Sequence, residues 1–167
     1  SLISGIHDLL PNRTGGAIMQ KNLEILGDIQ YTQDEIDFAL DMQKANGKPQ
    51  IGIDGKIRPL RETLESPGGG STDVGDVSYN VPVVSLAATT APKGVPWHSW
   101  SVVASSGMSI GHKGMLHAAK ALGMSMIDIY KDKKLREEIK KEFDERIGDY
   151  NYDPYLNPGP PPIDYVD

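Results

Sequence analysis

PGGGSTDVGDVSYNVPVVSLAATTAPKGVPWH, residues 67–98, is the stretch on which the reading of this chain turns. It begins as a glycine hinge, passes through a short polar segment with two carboxylates, and becomes an apolar run rich in β-branched residues. It ends in a histidine set between two tryptophans, Trp97 and Trp100. Gly68, Gly69 and Gly70 open backbone conformations closed to other residues and let a ligand approach the main chain. Ser71, Thr72 and Asp73 are residue types that cap helix starts by accepting the unpaired amide hydrogens of the first turn. Free N–H groups at a helix start attract a carboxylate or phosphate. A capped surface turn has the same composition, so the residues alone leave both readings open.

Residues 81–89 carry Val83, Val84 and Leu86, with prolines at 82 and 92. Their length and branching predict a buried strand more than a helix. His98 then falls in the loop beyond the strand's carboxyl end, where open α/β sheets bind their ligands. A neutral imidazole there suits a zinc ion. For a lone histidine with no partner at ligand spacing, a ring half-buried between the two indoles is the reading the residues alone favour.

The strings GGGSTDVGDVSYNVP (68–82), GVPWHSW (94–100) and SIGHKGM (109–115) together resemble the carboxyl-terminal part of the M20 metallopeptidase and amidohydrolase family. The likeness is greatest to its aminobenzoyl-glutamate hydrolase branch, and HDLLPNRTGGAIMQKNLEILG (7–27) resembles that branch too. The resemblance runs from about residue 6 to residue 143. It implies an α/β fold, a layered sheet with flanking helices that forms the carboxyl-terminal part of a zinc-exopeptidase-like (phosphorylase/hydrolase-like) catalytic domain. By the same likeness, residues 1–30 would end a lid domain and return to the catalytic domain, 31–148 would belong to the catalytic domain, and 149–167 would be an extended tail.

In that family the last ligand of a two-metal centre is a histidine in the loop after this strand, and His98 holds the matching position. The resemblance therefore implies a divalent metal, zinc with manganese or cobalt as alternatives, and a small N-acyl amino acid or dipeptide as substrate. Gly69, Gly70, Ser71 and Thr72 would hold the substrate carboxylate, and Asp73 and His112 would stand behind the metal ligands. It also implies a cytoplasmic location. The family's earlier ligands and its general-base glutamate lie in a long amino-terminal portion that nothing here resembles, and the chain begins at Ser1. The expectation is a carboxyl-terminal piece of a larger enzyme, inactive alone and with no catalytic residue of its own. A noncatalytic binding or assembly module is the alternative, because one histidine is too few for a catalytic zinc.

Composition narrows the field. The 167 residues, 38% hydrophobic, suffice for one ordinary domain. Without cysteine there is neither a disulfide frame nor a thiolate zinc site. A formal charge of −6 with no basic stripe argues against nucleic acid. No apolar run has the length to cross a bilayer. The P-loop, the dinucleotide fingerprint and the nucleophile elbow are all missing.

Along the chain, residues 2–10 and 100–104 read as further strands. Asn12 caps a helix over 14–26 ended by Gly27, and it also opens an Asn-Arg-Thr glycosylation triplet for which the cap is the preferred use. Thr32 to Glu35 form a capping box for a helix ending near Asn46-Gly47. Residues 48–67 read as a polar connector. The helix 115–131 is apolar on more than one face and is expected to be mostly buried. Asp132 caps a helix over 133–147, and the proline-rich residues 150–167 form a strap lying over the body. Missing strands would leave an exposed edge, so a homo-oligomer or a complementing partner is expected.

Overall fold

Asn12 fixes where the first helix begins. Its Oδ1 accepts from the Gly15 amide at 2.8 Å, and its Nδ2 donates to the Ile139 carbonyl at 2.9 Å. With 7% of its surface exposed, this asparagine is a buried cap and not a glycan carrier. The computed structural model describes residues 5–60, 72–156 and 159. Six helices form there: α1 (Arg13–Leu26), α2 (Gln33–Ala45), α3 (Val74–Ser78), α4 (Trp100–Ser106), α5 (Ser109–Lys131) and α6 (Lys133–Ile147).

The starts of α1, α2 and α6 follow from their caps. Thr32 Oγ1 accepts from the Glu35 amide while Glu35 accepts from the Thr32 amide, a complete capping box. Asp132 accepts from the Leu135 amide at 3.1 Å. Gly27 ends α1 at a φ of 74°, open to glycine at no steric cost. Helix α5 starts at Ser109, earlier than the expected Met115. It packs on α1, α4 and α6.

The expected α/β layered sheet is not present. Among the described residues 54% are helical, with no strand and no sheet. Residues 100–104, expected as a strand, form most of α4. There Ser101 and Ser105, four apart, are both fully buried, and Ser105 Oγ donates to the Ser101 carbonyl at 2.7 Å. The burial period is that of a helix, while β-branched Val103 stays 73% exposed. Residues 82–90 do run without helix, and Val84 and Leu86 turn inward while Ser85 and Ala87 are exposed. No backbone–backbone hydrogen bond involves residues 83–91 among the described residues. The strand-like alternation is there, but the ladder that makes a strand is not.

Glycine gaps in the helices seat this segment. A Cβ on Gly15 of α1 would meet the Val84 methyl, and one on Gly114 of α5 would meet the Thr89 carbonyl and the Thr90 methyl. Val84 and Leu86 thereby reach the buried cluster of Met19, Leu23 and Ala121, joined by Leu26 and Ile57. Helix α2 is tied on through polar groups. The fully buried Gln43 accepts from the Ile51 and Gly52 amides and donates to the Gly52 and Lys93 carbonyls, so the connector after α2 is folded around one side chain. Glu35, 4% exposed, pairs with Lys113 of α5 at 2.6 Å. Burial opposes the charge on Glu35, but hydrogen bonds from Lys113, Ser109 and the Thr32 amide outweigh it and hold the carboxyl down to about 2.

Helix α5 is not mostly buried. Met115, Leu116, Leu122, Met126 and Ile127 are all more than half or nearly half exposed, because only its other face meets α1, α4 and α6. Of the expected strap at 150–167, residues 157, 158 and 160–167 lie outside the described residues, while its first residues meet the body. Tyr155 stacks on His7 with ring centres 4.3 Å apart, and the Tyr150 hydroxyl lies 2.7 Å from His7 Nε2.

Gly114→Ala should lower stability by about 1–2 kcal/mol in urea unfolding, since the added methyl presses on a backbone carbonyl and this exceeds the gain of about 1 kcal/mol in helix propensity. Gly123→Ala on the same helix, with open space around it, should instead raise stability by up to about 1 kcal/mol. The Glu35 carboxyl is held below its ordinary 4.5, so its stabilisation is complete above that pH and is lost as pH falls towards about 2. Lys113→Met should cost about 1–2 kcal/mol at neutral pH, discounted for the solvent that reaches Lys113, and should flatten that acid limb.

Candidate functional site

The loop of residues 92–99 carries His98 outward. Pro92 and Val95 are buried and anchor it, and the Lys93 amide donates to the Gly52 carbonyl at 3.3 Å. Beyond the anchor the chain turns at Gly94, φ 77°, and Ser99 Oγ closes the bend on the Pro96 carbonyl at 2.6 Å. His98 has φ 58°, the one positive value outside glycine among the described residues. A left-handed non-glycine residue is held there by its surroundings against a cost of about 1 kcal/mol or more, a pattern that gathers at functional positions. Its ring is exposed and stacks on neither indole; Trp97 and Trp100 are themselves 70% and 59% exposed. The half-buried histidine between two tryptophans is therefore not what forms.

The other residues singled out from sequence do not converge on His98. Gly69, Gly70 and Ser71 lie outside the described residues. Thr72 is exposed, and its Oγ1 accepts from the Val74 amide at 3.3 Å. Asp73 precedes α3 with helical backbone and makes no capping bond. Asp76 is turned to His7, accepting from the His7 amide at 3.1 Å and meeting Nδ1 at 2.6 Å. These contacts with His7 hold the Asp76 carboxyl below its ordinary range. His112 is exposed in the first turn of α5. Among the described residues no three His, Asp or Glu side chains gather where they could hold a metal ion. His98 by itself does not fit a catalytic metal, which takes about three protein ligands and a water.

Two features were not visible in the sequence. The first is a groove of about 690 Å³ whose walls are residues 54–60 and 85–95, with Met19 and Leu23 of α1 and Trp97 beside them. His117 also lines it, and its Nε2 is buried without a hydrogen-bond partner among the described residues. Burial, with Lys120 nearby, lowers the pKa of that ring. The groove exists because the connector after α2 is folded on Gln43 and so comes to face the 83–91 segment, a meeting that no local motif announces.

The second is the setting of His7, which is 7% exposed. Both its ring nitrogens are engaged, by Asp76 and Tyr150, and Tyr79, Tyr152 and Tyr155 surround the ring at 5.0, 5.3 and 4.3 Å between centres. Burial and the Asp8 carboxylate push the Tyr79 hydroxyl up to about 12. A Cβ on Gly75 would strike the His7 carbonyl, so the 5–12 segment lies directly on α3. The repeated tyrosines of the tail were the one sequence signal, but their partner lies 143 residues away. With every nitrogen satisfied and the tail over it, His7 is a clamp for the two ends of the chain.

Among known proteins, the chain is similar to one of the subunits of the p-aminobenzoyl-glutamate hydrolase of Escherichia coli (strain K12), 32% identical over 157 aligned positions. The alignment takes in 80% of this chain and 33% of that protein, so the chain spans about a third of the length of its curated relative. The likeness read from the strings around residues 7–27 and 68–115 is thus borne out, as a partial match to a hydrolase subunit. No family model matches the chain. No solved structure matches it either. No helix among the described residues is long and apolar enough to cross a membrane.

Proposed function

We propose that this chain is a part of a metal-dependent amidohydrolase acting on an N-acyl amino acid of the aminobenzoyl-glutamate kind, or on a dipeptide. The observation that carries the reading is the partial match to a p-aminobenzoyl-glutamate hydrolase subunit. His98, presented on a rigidly anchored turn, supports it from the side of the residues: it is exposed, unpaired among the described residues, and held in a backbone conformation that a loop without a task has little reason to keep. In this reading His98 supplies one ligand to zinc, or to manganese or cobalt, and Gly69 to Thr72 lie on the substrate's carboxylate side. The remaining ligands and the general base would come from polypeptide outside these residues. The chain would work in the cytoplasm, as a homo-oligomer or with a complementing partner.

A second reading has its own support. The described residues gather no ligand set, so the 167 residues alone would act as a noncatalytic binding or assembly module.

Zinc titrated into the isolated chain should move the ring resonances of His98 in NMR spectra ahead of those of His7, His112 and His117. Binding should be weaker than about micromolar, since one imidazole is far from the three ligands of a tight site. His98→Ala should abolish the response, and the isolated chain should leave p-aminobenzoyl-glutamate uncleaved. In a chimera that replaces the corresponding segment of the relative by this chain, hydrolysis should persist and fall by at least about 100-fold on His98→Ala. A chimera equally active with alanine at 98 removes the metal role, and tight stoichiometric zinc with hydrolysis by the isolated chain removes the need for outside ligands.

A further inference from the structure

We propose that the groove beside residues 85–91 binds an extended, acidic segment of another polypeptide by adding it as a strand. The inference concerns binding alone and does not rest on the hydrolase reading. Its first ground is the backbone. Residues 83–91 lie free of helix and make no backbone–backbone hydrogen bonds among the described residues, so their N–H and C=O groups, the Thr89 carbonyl packed on α5 apart, have no main-chain partner yet. One side of the segment is fixed already, with Val84 on Gly15 and Thr89 on Gly114, which leaves it preorganised for pairing.

The second ground is what this edge lacks. Natural proteins guard an open strand edge with charges, prolines or bulges. Residues 83–91, VVSLAATTA, contain neither a charge nor a proline. Their exposed side chains at 85 and 87 are a serine and an alanine, which put no charge on the exposed face of the segment. The groove runs along this edge with an apolar floor at Met19 and Leu23, suited to the inward side chains of an alternating segment.

The third ground is charge. Among the described lining residues Lys56, Arg58 and Lys93 are exposed cations, against the single carboxylate of Asp54, which lies 3.9 Å from Arg58. On a chain with a formal charge of −6, this local excess of positive charge selects an acidic partner. It also opposes pairing of the groove with the same groove of a second copy, because the three cations would face their own kind.

The test uses fluorescein-labelled peptides of about ten residues, a length typical of strand addition. Anisotropy at low salt should show saturable binding of an alternating Val/Glu peptide. Affinity should fall at least about tenfold for the Val/Lys peptide and for a Val/Glu peptide with proline at every third position. In the protein, Ala87→Pro and Ala88→Pro remove amides at opposite edges, so one should lose binding and the other keep it while both retain the helical circular dichroism of the wild type. The surface pair Lys56→Glu and Arg58→Glu, which leaves the segment untouched, should weaken the acidic peptide at least about tenfold. Equal binding of Val/Glu and Val/Lys peptides, no saturable binding, equal effects of the two prolines, or a chain that is already a dimer through this edge by sedimentation would each overturn the proposal.

Discussion

The seating of the 83–91 segment in glycine gaps of two helices is the constraint from which the rest of the structure follows. The segment can lie that near only where each helix lacks a Cβ: Gly15 on α1 admits the Val84 side chain, and Gly114 on α5 admits the Thr89 carbonyl and the Thr90 methyl. Once the segment lies there, Val84 and Leu86 reach the cluster around Met19, Leu23 and Ala121. The loop after it must then leave at Pro92 and Val95, both buried, and this is what carries Trp97 and His98 outward. Placement of the candidate metal ligand is thus a consequence of helix glycines more than of any sheet.

Polar contacts carry much of what apolar packing does not. Among the described residues, glycines and Pro92 apart, nine buried hydrophobic residues are matched by nine buried polar or charged ones, so a core of this composition is specified by its hydrogen bonds as much as by its volume. Asn22 donates to Ser125 and Asp128 of α5, Asn46 shares its amide with Ser101 of α4, and Gln43 orders the connector. The Glu35–Lys113 pair and the His7 clamp join elements far apart in sequence. Meanwhile large apolar side chains stay outside on α4 and α5, Trp100, Val103 and Met126 among them.

Local chemistry was legible in the sequence wherever one residue determines it. Asn12, the Thr32–Glu35 box and Asp132 each mark a helix start that the structure keeps, and the tail's tyrosines do lie against the body. The apolar run at 81–89 read as a buried strand, and its extended course was legible, but the strand does not form: a sheet is a property of neighbours, and no residue among those described pairs with it. Residues 100–104 show the opposite case: Val102 and Val103 favour a strand locally, while burial of Ser101 and Ser105 against the rest of the chain makes the helix. At the candidate site His98 was found through resemblance, whereas the groove needs the meeting of residues 54–60 with 85–95, which sequence distance conceals. The partial match covers a third of that relative and no solved structure matches the chain, so the helical fold is read from the described residues themselves.

Hydrogen exchange of the free chain, followed amide by amide, tests the central claim most directly. The amides of residues 83–91 should exchange near the rate of an unstructured peptide, while those of α1 and α5 on either side are protected by their helical bonds. Protection of residues 83–91 equal to that of the two helices would contradict the account, because it would mean that the segment is already hydrogen-bonded within the chain and has no edge to offer.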